Sequence, residues 1–293
     1  INNIIYIYMV LTGINYKEIL ERINIKDNPT KINYDEIILQ ITSLFNNSNN
    51  ISKINMNTKQ IGVGHFGLVY KIDNKVIKIN KYENDESKVD LYSEAVIMSL
   101  CKHTNVAEII GLTQLNVYEN KQIGLIMNHY KNGSFIDKLT NEQGNNKRNI
   151  LSNKQKINIL HGICNGMAHI HKKGFNHRDL AARNILLDEN YNAKITDFGL
   201  SRIEGATSFN NKNLGGIPVA WMATDRILDG IYTNAADVWS FGILMSETFN
   251  QGKMPYSGEK NKWNNIIPFF DESTIQQIRK AVPPPKNYIM EQI

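Results

Sequence analysis

Cysteine is nearly absent. Only Cys101 and Cys164 occur, with no CxxC spacing and no histidine cluster beside them. That argues against a structural zinc site or a disulfide framework and points to a reducing, cytosolic compartment. Both cysteines read as small buried apolar residues. Long apolar runs are missing too. The best, "IIYIYMVL" at 4–11, falls far short of the roughly 18–20 residues that span a bilayer, and it reads as a strand or a buried helix end. No block of lysine and arginine stands out: 33 cationic and 28 acidic side chains are spread along the chain for a net charge of +5. This gives no nucleic-acid footprint, while a mildly basic balance suits a protein that handles a polyphosphate. An initiator is lacking as well. The chain opens on Ile1, so it reads as a piece of a longer protein, with membrane attachment through upstream sequence left open.

What is present is ordinary globular composition, 42% hydrophobic and 21% charged over 293 residues, ample for a sizeable core. Asparagine makes up roughly one residue in seven, with clusters at 46–50 and 144–149 that read as polar loops. Residues 1–56 form a leader. Two patches in it, "NYKEILERI" (15–23) and "NYDEIILQITSLF" (33–45), carry apolar residues at helical spacing. They show no chemistry, and "NNSNN" looks like the linker that closes the leader.

From residue 57 the pattern changes. "KQIGVGHFGLVYKIDNKVIKI" mixes β-branched and aromatic residues with Gly and Asp-Asn turns, predicting two or three antiparallel strands. A helix is predicted over 86–101, a strand over 123–130, and an amphipathic helix over 157–174 with Ile157, Leu160, Ile163, Cys164, Met167 and Ile170 on one face. "ADVWSFGILMSETF" (236–249) is apolar nearly all round and predicts a buried helix. The order is a small β-rich part followed by a helical part, without internal repeats.

Gly62, Gly64 and Gly67 spell GxGxxG. No helical pattern follows the third glycine, which argues against a dinucleotide-binding strand–helix unit. A Gly-rich turn between strands still lets backbone N–H groups approach phosphate oxygens; the plainer reading is a simple hairpin. Lys78 lies on a strand that should be buried, where it needs an anionic partner, and Glu94 is a candidate. An ordinary edge-strand lysine is the alternative. Asp197, at a strand end before Phe198 and Gly199, suits a Mg²⁺ ligand, with Asn184 as a neutral oxygen donor.

Taken in order, "GVGHFGLV", "VIK", a helix glutamate, "HRDLAARN", "DFG" and "DVWSFG" make residues 57–293 resemble the eukaryotic protein kinases. The resemblance implies an α+β, two-lobed fold: a small antiparallel β N-lobe with one helix (about 57–130) and a larger, mainly helical C-lobe (about 131–293) whose last helices are expected to be missing. It implies ATP and Mg²⁺ as cofactors and a protein substrate. Gly62, Gly64 and Gly67 would cover the phosphates. Lys78 would bind them and pair with Glu94, and Asn184 and Asp197 would hold the metal. Asp179 would accept the proton of the acceptor hydroxyl, with Arg183 as a further cation. Ile61, Val69, Val76 and Leu186 would enclose the adenine, Met127 would guard the pocket behind it, and Asn128 to Tyr130 would form the hinge. Met98, Ile109, His177 and Phe198 would stack as an internal column, with Asp237 bracing the loop from below.

"HRDLAARN", with Ala181 and Arg183 in place of a lysine two residues after the aspartate, is similar to tyrosine kinases, as is "IPVAWMA" (217–223) with Pro218. Tyrosine or dual specificity is therefore expected; a Ser/Thr-specific enzyme of the tyrosine-kinase-like group and a catalytically silent scaffold are the alternatives. Three departures bear on this. Ala223-Thr224-Asp225 stands where the family has Ala-Pro-Glu, Val76 replaces a small alanine, and residues 197–225 contain no tyrosine. Arg178 and Arg202 would then grip a phosphate on Thr207 or Ser208.

Overall fold

A computed structural model describes residues 18–19, 21, 43–44, 59–63, 67–81, 85–117, 120–140, 151–203, 219–223 and 232–255. The β-rich stretch forms three strands, β1 (Gln60–Val63), β2 (Gly67–Ile72) and β3 (Lys75–Asn80). Asp73 and Asn74 turn β2 into β3, with Asp73 at φ 53°, a left-handed conformation that aspartate tolerates better than most residues. Helix α1 (Asp85–Leu100) follows, then β4 (Ile109–Val117) and β5 (Asn120–Asn128). The five strands make one antiparallel sheet in the order β1-β2-β3-β5-β4. β5 starts three residues earlier than the predicted strand and stops at Asn128. β4 was not anticipated, because a register shift between Ile109 and Gly111 breaks the period-two signal that marks a strand.

Alternation along β3 sends its residues to opposite faces. Ile77 and Ile79 join Tyr70, Leu115 and Ile126 in one small apolar cluster. Val76 joins the larger core, with α1. Lys78 shares that face, which places an ammonium under the helix. Gly124 on β5 is where the small cluster closes. A Cβ there would lie 2.6 Å from Ile77 Cγ2 and 2.8 Å from Leu115 Cδ1. We therefore expect Gly124→Ala to overpack this face and cost about 1–3 kcal/mol, read as a lower urea midpoint at unchanged slope.

The helical part holds α2 (Phe135–Thr140), α3 (Asn153–Lys172) and α4 (Asn234–Phe249). Two short ladders lie between α3 and α4: β6 (Phe175–Asn176) with β9 (Arg202–Ile203), and β7 (Ile185–Leu187) with β8 (Ala193–Ile195). Helix α3 begins with a reciprocal cap: Ser152 Oγ accepts from Gln155 N, and Gln155 Oε1 accepts from Ser152 N. Its buried stripe runs through Ile159, Leu160, Ile163, Met167 and Ile170. Ile157, 46% exposed, and Cys164 do not belong to it. Each sits one residue past the stripe, about 100° round the helix. Cys101 is buried as expected, and burial pushes its thiol up to about 12.

Helix α4 also departs from expectation. It is not buried all round, since Val238 is 63% exposed. Its buried face includes Asp237, Ser240, Glu247 and Thr248 beside Ile243 and Leu244. Asp237 and Glu247 are satisfied by the loop they support, as shown below; Ser240 Oγ donates to Trp221 O and Ala236 O, and Thr248 Oγ1 donates to Leu244 O. Among the described residues, no helix is long and apolar enough to cross a membrane.

Candidate active site

Three charged side chains from distant parts of the chain meet beneath the sheet. Lys78 Nζ on β3 donates to Glu94 Oε1 and Oε2 on α1 at 2.8 and 2.9 Å, and to Asp197 Oδ1 at 2.9 Å. Burial opposes the charge on Lys78, but Asp197 and Glu94 outweigh it and hold the ammonium above the usual lysine range. Burial works against Asp197 too; Lys78 overcomes it and keeps that carboxyl below the usual range. Glu94 goes the other way. Burial pushes it up more than Lys78 pulls it down. Asp197 adopts φ 65°, a left-handed conformation uncommon outside glycine, and such outliers gather at functional sites.

Asp179 lies in the loop between β6 and β7. One of its oxygens, Oδ1, is in contact with Arg183, and Oδ2 accepts from Asn184 Nδ2 at 2.7 Å. The same amide donates to the Asp179 carbonyl at 2.7 Å. Burial raises the Asp179 carboxyl, Arg183 opposes this, and Asp197 adds to it. The result is an ionisable oxygen pair on a fixed support, with its affinity for a proton increased.

The support comes from α4. Asp237 Oδ2 accepts from His177 N at 2.8 Å and Oδ1 from Arg178 N at 2.9 Å; His171 Nε2 on α3 lies 2.9 Å from Oδ2. Burial disfavours this carboxylate, yet the bonds outweigh it and lower its pKa. Nearly three turns further along α4, Glu247 Oε2 accepts from Ala182 N at 3.0 Å and from Trp221 Nε1 at 2.9 Å. The Arg183 guanidinium lies 4.4 Å from the centre of the Trp221 ring. His177 meets Phe198 edge to face at 4.9 Å and its Nε2 lies 3.0 Å from Thr196 O. Met98 and Phe198 are buried in the same apolar core, with Ile109 packed against it.

His171, Glu247 and Trp221 were not singled out from sequence. Two acids inside an otherwise apolar helix were the available signal for Glu247: a buried carboxylate must find donors.

Val76 pairs with Met127 across β3 and β5, and both are buried; Val69 on β2 sits opposite Lys78. Ile61 is exposed, and Leu186 lies on β7. At the end of β5, Asn128 Nδ2 donates to Glu108 Oε2, His129 N to Asn74 O, and Tyr130 OH accepts from Glu108 N. A Cβ on Gly67 would lie 2.6 Å from the Ile79 carbonyl oxygen, so the backbone approach there requires glycine. Gly64, Thr207, Ser208, Pro218, Thr224 and Asp225 lie outside the described residues. Arg178 is buried, at φ 70°, with its guanidinium 3.5 Å from the Tyr232 ring centre; Arg202 donates to Gly199 O and Ser201 O.

The family model for protein tyrosine and serine/threonine kinases matches residues 55–292. The chain belongs to this family. Among similar kinases, tyrosine-protein kinase Fer of Mus musculus is 35% identical over 208 residues, covering 69% of this chain and 24% of Fer. Tyrosine-protein kinase csk-1 of Caenorhabditis elegans is 32% identical over 230 residues, 76% of this chain and 40% of csk-1. Tyrosine-protein kinase TXK of Homo sapiens is 32% identical over 213 residues, 69% and 38%. The chain thus spans about a quarter to two fifths of the length of these relatives. Its kinase fold is α+β, an antiparallel sheet with α1 followed by a helical part.

Proposed function

We propose that this kinase domain transfers the γ-phosphate of ATP to a protein hydroxyl, with tyrosine as the acceptor class. The domain is read as 57–293 behind a leader of 1–56, with lobes meeting near 130, and as cytoplasmic. The observation that carries the reading is the buried set of Lys78, Glu94 and Asp197 facing an Asp179 held by Arg183 and Asn184.

Phosphoryl transfer passes through a loose transition state with charge spread over the phosphoryl oxygens, so positioning and charge neutralisation do most of the work. Lys78 supplies a permanent cation for phosphate oxygens. Glu94 fixes where that cation stands. Gly62, Gly64 and Gly67 offer backbone N–H groups without side chains in the way. Val69, Val76, Leu186 and Ile61 give the adenine apolar walls, beside Met127 and the hinge at Asn128 to Tyr130. Asp179 orients the acceptor hydroxyl and takes its proton, a role that suits a carboxyl whose pKa burial has raised.

The donor set fits Mg²⁺. Asn184 Nδ2 is committed to Asp179, which leaves Oδ1 for a metal, and Asp197 adds a carboxylate. Among the described residues no group of three or more His, Cys, Asp or Glu is arranged to hold a metal ion. Two protein oxygens, completed by phosphates and water, is the arrangement Mg²⁺ favours. Bound there, Mg²⁺ supplies charge neutralisation at the phosphates.

Tyrosine is favoured by the assembly of Ala181, Arg183, Trp221 and Glu247. Arg183 lies over an indole that Glu247 anchors, which puts a cation and an aromatic wall beside Asp179. A long acceptor whose hydroxyl stands far from its main chain matches such a wall. We expect Arg183→Ala to lower kcat/KM on a tyrosine peptide about ten- to hundredfold, the effect of one charge-assisted bond.

Phosphoamino-acid analysis after incubation with labelled ATP and Mg²⁺ tests both parts. Labelled phosphotyrosine, absent from Asp179→Asn, is the expected result. Label on serine or threonine alone would refute the tyrosine assignment. No label, with Asp179→Asn indistinguishable from the parent, would favour a silent scaffold.

A further inference from the structure

We propose that His103 and His169 form a proton-sensitive latch, holding the loop that precedes β4 against α3 at neutral pH and loosening it on acidification. The loop, residues 101–108, is seated closely. Ile195 N on β8 donates to Asn105 O at 2.8 Å, and Ala107 N donates to Ile195 O at 2.8 Å. Asn105 Nδ2 donates to Ala193 O at 3.1 Å, and Lys194 Nζ to Thr104 O at 2.7 Å. Two glycines of α3 make room for the loop. A Cβ on Gly162 would lie 2.8 Å from Asn105 Nδ2, and one on Gly166 would lie 3.0 Å from Asn105 O.

Beside this seat two imidazoles stack, one from the loop and one from α3. Their centroids are 4.9 Å apart and their planes 22° apart. Both residues are half-buried, and both suit the neutral form. His103 Nδ1 accepts from Asn105 N at 3.1 Å. A proton on that nitrogen would face a donor, and the loop would lose this bond. His169 Nε2 is buried and has no hydrogen-bond partner among the described residues. An imidazolium there would bury an N–H donor without an acceptor.

The surrounding charges act in the same direction. Burial lowers the His169 pKa, and His103, Lys173 and Lys172 lower it further. The loop's own carboxylate, Glu108, is engaged by Lys102 at 3.4 Å and by Asn128. The charged group that β8 brings to the loop is Lys194, another cation. His161, on the same helix, is exposed. A histidine with a depressed folded pKa takes up its proton more readily in the unfolded or opened state. Its stabilisation is whole above about pH 6.5 and is lost as pH falls from there towards the folded value. Acid therefore favours the opened loop, and neutral pH the stacked one.

The test follows hydrogen exchange of the full chain from about pH 7.5 to about pH 5.5, expressed as protection factors. Peptides covering 101–108 report on the latch, and peptides covering β2 and β3 serve as reference. No turnover is needed, so the outcome is independent of the kinase reading. His169→Phe keeps an aromatic ring but takes no proton; His161→Phe is the control. In the parent and in His161→Phe, protection of 101–108 should fall about three- to tenfold, since one proton changes an equilibrium by at most about tenfold per pH unit. His169→Phe should stay level. By NMR, the His169 imidazole of the parent should titrate below the free value of about 6.5. Constant protection in the parent, an equal fall in His169→Phe, or an equal fall in β2 and β3 would overturn the latch. If His169→Phe already lacks protection at the upper pH, His169→Gln decides by the same comparison.

Discussion

Lys78→Met is expected to lower kcat by about a hundred- to a thousandfold, the loss of a preorganised cation at the point where charge develops. The same change has a second, separable signature in stability. Lys78 is the shared cation of Glu94 and Asp197, and removing it leaves two buried carboxylates facing each other. Breaking a buried pair from one side costs about 3–5 kcal/mol. In the variant neither acid has its counter-charge, so both folded-state pKa values rise above the unfolded values near 4. Groups whose folded pKa is raised bind protons more tightly in the folded state. The variant is therefore least impaired below about pH 4 and loses stability as pH climbs through the raised values. In the parent, Asp197 is depressed, so its contribution is present above its unfolded pKa and lost as pH falls. Thermal melts of the two proteins from pH 5 to 8 should show a gap in Tm that widens as pH rises. A constant gap would mean that the carboxylates do not depend on Lys78.

Asp237→Ala should be the most damaging single change in the helical part. Its carboxylate accepts two backbone N–H groups of the loop that carries Asp179 and meets His171 as well. Alanine leaves the His177 and Arg178 amides buried without acceptors, and each orphaned donor costs about 1–3 kcal/mol. A loss of about 3–5 kcal/mol is expected from denaturant unfolding. The loop also loses its anchor, so kcat should fall together with stability. Asn retains one oxygen acceptor and should recover part of both. Full recovery by Asn would show that shape alone, without charge, holds the loop. The depressed pKa of Asp237 adds a pH signature. Its stabilisation is present above the unfolded pKa near 3.9 and fades as pH falls through the folded value. The variant and the parent should therefore converge at low pH.

Local patterns carried a good part of this in the sequence. Gly67 had to be glycine because a backbone carbonyl sits where a Cβ would be, and Gly-rich turns announce such approaches. The strands β1 to β3 followed from alternation and an Asp-Asn turn. Lys78 stood out as a charge on a strand that should be buried, and Asp197, with Asn184, as oxygen donors suited to Mg²⁺; Asp179 took its role from the kinase resemblance. Other features were less legible. β4 hid behind a bulge. Ile157 and Cys164 satisfy helical spacing but lie one step off the stripe that docks. Helix α4 looked apolar all round, yet its buried face is half polar and Val238 is left outside.

By itself the sequence determined the family, since the types and order of its motifs resemble the protein kinases and the family model matches residues 55–292. It also determined where short-range elements form, because periodicity and turn preference act over a few residues. Only the tertiary structure decided which distant groups share a site. Lys78 and Asp197 are 119 positions apart, and no local rule relates them. Nor does any local rule say that Glu247 reaches Ala182 and Trp221, or that the leader's Ile19 and Leu44 share a core with α1. The physical reason is common to all three. A buried charge or apolar face specifies that it needs a partner, while packing of the whole chain selects which one it gets.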